Sequence, residues 1–146
     1  MEPQEFVVGG EIPTVTRTYR PQELFLFSAA TWNPHRVHYD QRYTADVEGH
    51  ADLLVQGPLQ AAQLFQVLVD ILVDGACLTS VRYRHLAVLH VGQPVLMAGL
   101  FGEIDDQAGS AEVAMWMELE SSGQRTTAGT AVVSLSGSGN TRSTKR

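Results

Sequence analysis

Apolar and polar positions follow two periods along the chain. Residues 111–120 (AEVAMWMELE) place Val113, Met115, Met117 and Leu119 at every second position, the spacing of a half-buried strand. Residues 77–89 (CLTSVRYRHLAVL), 94–104 (PVLMAGLFGEI) and 126–136 (TTAGTAVVSLS) read as strands too, and 14–20 (TVTRTYR) as a shorter one. Gly92-Gln93-Pro94, Asp105 to Ser110 and Ser121 to Gln124 predict hairpin turns between the later strands. Helical spacing appears upstream. Pro21 opens a segment with Leu24, Phe27 and Ala30 on one face. Gly57 and Pro58 open a second helix of roughly 15–17 residues, ending near Gly75. Its polar positions, Gln60, Gln63, Gln66 and Asp70, form one narrow stripe, expected to graze solvent or face a second copy. A helix apolar nearly all round is buried nearly all round. One buried helix followed by consecutive antiparallel strands predicts an α+β fold with the sheet curled around the helix.

Residues 33–56 hold no sustained period and predict a long loop with one short helix near 41–48. Long loops inside compact domains usually carry function. This one contains "SAATWNPHRVHYD", residues 28–40, which crowds Asn33, Pro34, His35, Arg36, His38, Tyr39 and Asp40 together.

Length and composition narrow the field. The 146 residues suit one domain, expected over 1–136, with a Gly/Ser/Thr-rich basic tail over 137–146 that reads as disordered. A formal net charge of -6 argues against a nucleic-acid partner, which needs a basic surface. The single Cys77 makes no internal disulfide and is compatible with a reducing compartment. The N-terminus lacks the basic and apolar regions of a signal peptide, and no apolar run reaches the ~18 residues of a membrane span. A cytoplasmic protein without membrane association is expected.

The loop and the helix start together resemble a known family. "FSAATWNPHRVHYD…VEGHADLLVQGPLQAAQL" is similar to the signature of MaoC-like (R)-specific enoyl-thioester hydratases and dehydratases, F-x-x-x-S-G-D-x-N-P-hydrophobic-H-x-D followed by V-H-G. It looks most like the branch of mesaconyl-CoA hydratases and fungal mitochondrial 3-hydroxyacyl-thioester dehydratases, and "VRYRHLAVLHVGQPV" shares that look. The resemblance covers roughly residues 20–100. It implies a single hot dog fold, a long central helix wrapped by a curved antiparallel sheet. It also implies addition or removal of water at the double bond of a 2-enoyl thioester of CoA or acyl carrier protein, with no cofactor beyond the substrate's carrier.

Carried over residue by residue, the resemblance sets His38 on the catalytic histidine and Asn33 where most members have an aspartate. An imidazole suits proton transfer because it titrates near neutrality. An amide cannot accept a proton but can orient water or a substrate oxygen. Gly57 opens the helix whose free N–H groups can stabilise an enolate, and Pro58 follows it. Asp40 would share a face with His38 and orient it, provided the loop is extended there. Arg36 contacts the pantetheine or phosphates, or pairs with an acid such as Glu48; His35 is a supporting candidate for binding. Gln56 stands where the branch has histidine. A metal is not expected, since the His35, His38 and Asp40 spacing suits a helix better than this stretch. His50, His85 and His90 read as structural, and Arg82 and Arg84 as a solvated strand face.

Two rivals follow from the same residues. A thioesterase usually places a carboxylate near the central helix, and residues 57–69 contain none. Asn33 favours the other, a non-catalytic or partner-dependent acyl-CoA-binding subunit. Hot dog chains of this size are expected to assemble, as a homodimer or with another hot dog chain.

Overall fold

The computed structural model describes residues 6–73 and 75–135. The anticipated tail over 137–146 lies outside them. Strand β1 (Glu11–Thr18) leads to helix α1 (Pro21–Thr31), a short 3₁₀ turn (Arg36–His38), α2 (Gln41–Asp46) and the central helix α3 (Gly57–Val69). Strands β2 (Cys77–His85), β3 (Pro94–Asp105), β4 (Ser110–Leu119) and β5 (Arg125–Ser134) follow. They form one antiparallel sheet in the order β1-β3-β4-β5-β2. Leu64 and Leu68 of α3 are fully buried against Val95 and Met97 of β3, Val113, Met115 and Met117 of β4, and Ala131 and Val133 of β5. This is the expected α+β architecture, a hot dog fold.

Several expectations shift. The central helix has 13 residues and stops at Val69 rather than near Gly75. Beyond it Ile71 N–H bonds Leu68 O and Leu72 N–H bonds Val69 O, so the chain tightens into i→i−3 turns as Ile71 is pulled into the core. The first strand runs 11–18 instead of 14–20, with a register break between Ile12 and Val15 where Pro13 has no N–H to give the ladder. Gly92-Gln93-Pro94 is not a hairpin, because β2 and β3 are not neighbours. Residues 89–91 leave the sheet and pair instead with 53–55: Val55 N–H bonds Leu89 O, and Val91 N–H bonds Leu53 O. Only 105–110 and 119–125 close hairpins among the three turns expected.

The glutamine stripe divides. Gln66 is exposed and donates to Asp70 (2.7 Å), whereas Gln60 is 3% exposed and turned inward. The open stripe of α3 is Ala62, Gln66 and Val69, spaced i, i+4, i+7. Beside it lies β2, at the edge of the sheet and exposed almost throughout.

Candidate active site

Local rules build the loop. Trp32, in the left-handed region (φ 51°), ends α1, and Asn33 N–H bonds back to Ser28 O. The Asn33 side-chain oxygen accepts from His35 N–H (3.2 Å), an Asx turn. His35 Nδ1 in turn accepts from Val37 N–H at the head of the 3₁₀ turn. Val37 is buried, and its carbonyl accepts from Leu54 N–H, which ties the turn to the segment beside 89–91. That anchoring brings His38 Nδ1 within 2.8 Å of Leu54 O. A carbonyl only accepts, so Nδ1 carries the hydrogen and the neutral ring leaves Nε2 bare. Burial holds the His38 pKa below its ordinary value, against the Leu54 carbonyl, which favours the charged ring.

Asp40 does not orient His38. The stretch is a 3₁₀ turn and not extended, so the two side chains lose the shared face. Asp40 caps α2, accepting from Tyr43 N–H (3.0 Å), and pairs with Arg36 (2.7 Å). The Tyr43 N–H and the Arg36 guanidinium hold its carboxyl below the usual range. Arg36 thus reaches Asp40 rather than Glu48, and stacks 4.2 Å over the Tyr43 ring. Glu48 accepts from Tyr43 Oη and lies 4.0 Å from His35 Nε2.

His38, Gly57 and Gln60 line one open pocket of about 430 Å³ with Leu54, Val55, His85 and residues 86–89. Asn33 lines a different hollow, with Phe25, Ser28, Ala29, Trp32, Pro34 and Tyr39. No side chain caps the start of α3, and Pro58 brings no donor to its first turn. Gln56, the residue at the cap, is buried and spends its amide N–H groups on Leu24 O and Ser28 Oγ.

His85, read from the sequence as structural, stands in the same pocket as His38. Its ring lies over Gly57, where a Cβ would come within 2.4 Å of Nε2. A side chain at 57 would therefore displace the His85 ring. On the other side His85 Nδ1 is 3.0 Å from Thr127 Oγ1, its cross-strand partner on β5. Thr127 faces inward in step with Ala131 and Val133 of the same strand, and the extra residue of β5 against β4, Thr126, comes just before it. Burial also pushes the His85 pKa down.

Among the described residues no three potential ligands gather into a metal cluster, and no helix is long and apolar enough to cross a membrane.

Residues 8–91 match the family described as hydroxyacyl-thioester dehydratase type 2. A mesaconyl-C(4)-CoA hydratase of Chloroflexus aurantiacus is 47% identical over 55 residues, 36% of this chain and 20% of that protein. A mitochondrial hydroxyacyl-thioester dehydratase type 2 of Saccharomyces cerevisiae is 30% identical over 73 residues, 50% of this chain and 25% of that protein. The matches thus span a quarter or less of these relatives' length. An (R)-hydratase of A. caviae involved in PHA biosynthesis superposes with a TM-score of 0.80 at 20% identity, over 90% of this chain and 98% of that one. At that identity the likeness establishes the shared fold.

Proposed function

This chain belongs to the hydroxyacyl-thioester dehydratase type 2 family, and from that premise we propose that it adds water to, or removes it from, the double bond of a 2-enoyl thioester carried on CoA or acyl carrier protein. The observation that carries the reading is His38: its Nδ1–H is committed to Leu54 O and its bare Nε2 belongs to the pocket that adjoins Gly57 at the open end of α3. Water loses a proton to His38 Nε2 as its oxygen attacks the β-carbon. The π electrons move toward the thioester carbonyl, where the N–H groups at the α3 N-terminus stabilise the enolate charge. The imidazolium then returns the proton to the α-carbon. Pro58 sets the helix start, and Asn33, Arg36, His35 and Asp40 support the reading from the loop that they brace around His38, outside the proton path.

Incubation with crotonyl-CoA tests this. Loss of the enoyl absorbance without release of free thiol is expected, and His38→Ala should lower kcat by about 100-fold or more. Full activity in that variant, or free thiol from acyl-CoA, overturns the reading. The exposed apolar residues Val81 and Tyr83 on the β2 edge support assembly with a second hot dog chain, identical or different. Asn33 gives the hetero-assembly its specific support: a chain without the usual aspartate can draw on a partner, and activity appearing only on mixing would favour it.

A further inference from the structure

A chain of hydrogen bonds decides which nitrogen of His85 carries its proton. Gln60, 3% exposed, must donate Nε2–H to Val55 O (3.1 Å), because a carbonyl only accepts. Its Oε1 is therefore the acceptor for Thr127 Oγ1 (3.0 Å), and the one hydroxyl hydrogen of Thr127 is spent there. Thr127 can then only accept from His85 Nδ1 (3.0 Å). In the neutral ring Nδ1 holds the hydrogen and Nε2 is bare, at the corner of the ring packed beside Gly57. His38 reaches the same state through Leu54 O. Two histidines from distant parts of the chain thus line one pocket, each with its proton on Nδ1 and its Nε2 without a hydrogen-bond partner among the described residues.

We propose that His85 is a second catalytic residue, its Nε2 and that of His38 together holding the attacking water. The proposal rests on the hydration reading above and adds the group that Asn33 cannot supply. A water that donates one hydrogen to each bare nitrogen keeps its lone pairs for the β-carbon. When the C–O bond forms, one O–H proton passes to His38 and the other stays on the product hydroxyl, still hydrogen-bonded to His85. The π pair becomes the enolate, and His38 returns its proton to the α-carbon. Atoms and charge balance with no further reactant. The division of labour follows from the partners: the Leu54 carbonyl stabilises an imidazolium at His38, whereas His85 has only a hydroxyl whose hydrogen points elsewhere.

Both rings must be neutral for this, so protonation of either abolishes the water site. Among the pocket-lining residues only His38 and His85 carry titratable side chains, and burial lowers the pKa of both. Around them, His35 faces His38 (ring centroids 6.0 Å) with Glu48 behind it, and Tyr83 lies against His85 (5.4 Å). Gly57 of α3 and Thr127 of β5, which touch His85, and Gln60, which lines the pocket with it, are uncharged, and Arg84 adjoins it on β2.

The experiment follows crotonyl-CoA hydration by the wild-type chain, His85→Phe and His85→Gln from pH 5 to 8, with circular dichroism and thermal unfolding to establish that each is folded. Log kcat/KM of the wild type should fall with a limiting slope of about two once the pH, lowered further where needed, is below both histidine pKa values. His85→Phe should lose about 100-fold in kcat, with KM little changed and a slope of about one. His85→Gln, whose amide oxygen can hold water but does not titrate, should recover part of kcat and keep the slope of one. A wild-type slope of one, or kcat in either folded variant within about threefold of wild type, overturns the proposal. If His85→Phe does not fold, the slopes of the wild type and His85→Gln decide. A wild type that hydrates no enoyl thioester sinks the hydration reading itself; an active wild type lost on His38→Ala but untouched by His85 changes sinks only this inference.

Discussion

At the scale of single residues two imidazoles line the same pocket, and burial lowers the pKa of both. This has a consequence for stability as well as catalysis. A histidine whose pKa is lowered in the folded state takes up its proton more readily when unfolded. Below about pH 6.5 the unfolded chain binds protons that the native rings still refuse, so stability falls as pH falls through that window. Melting temperature should therefore drop between pH 7.5 and 5.5, and drop less in His38→Gln; both rings are partly exposed, so the change is modest. An identical pH dependence in wild type and variant would contradict this. The motif makes His38 legible in the sequence. His85 is not, because within 77–89 it is one more position of an alternating strand beside Arg82 and Arg84. The one signal available was Gly57 itself, a glycine that something had to approach.

At the scale of elements, the site depends on how β2 is pinned to β5. Gly129 faces Tyr83 across the ladder, and a Cβ there would meet Arg82 O at 2.3 Å and Tyr83 Cβ at 2.8 Å. Backbone cannot rotate away as a side chain can. Gly129→Ala should cost about 1–3 kcal/mol in urea unfolding and, by lifting β2 from β5, weaken the His85–Thr127 bond and lower kcat. Unchanged stability and activity would show that the edge strand tolerates a slip. Element types were readable from period alone, since α1, α3 and all five strands occur near the expected places. Partners were not: Gly92 and Pro94 look like a hairpin, yet the segment 53–55 competes for 89–91 and the chain crosses to the far side of the sheet.

For the whole molecule, the open stripe of α3 and the β2 edge form one continuous groove of Pro58, Ala62, Phe65, Val69, Val81 and Tyr83. Such a surface at a sheet edge favours pairing with another chain. Sedimentation should give a species larger than the monomer, and Val81→Glu should shift it toward the monomer; a wild type that is monomeric throughout contradicts this. The sequence by itself determined the α+β class, the buried helix and the placing of His38 in a loop ahead of a helix start, because hydrophobic period and motif spacing are local properties. It also exposed the missing aspartate. Only the tertiary structure decided that Asp40 serves α2 and Arg36, that Gln60 turns inward, and that His85 joins His38. Those outcomes depend on a strand order and a chain of hydrogen bonds between residues as far apart as 60 and 127, where each donor's direction is set by its neighbour's partner.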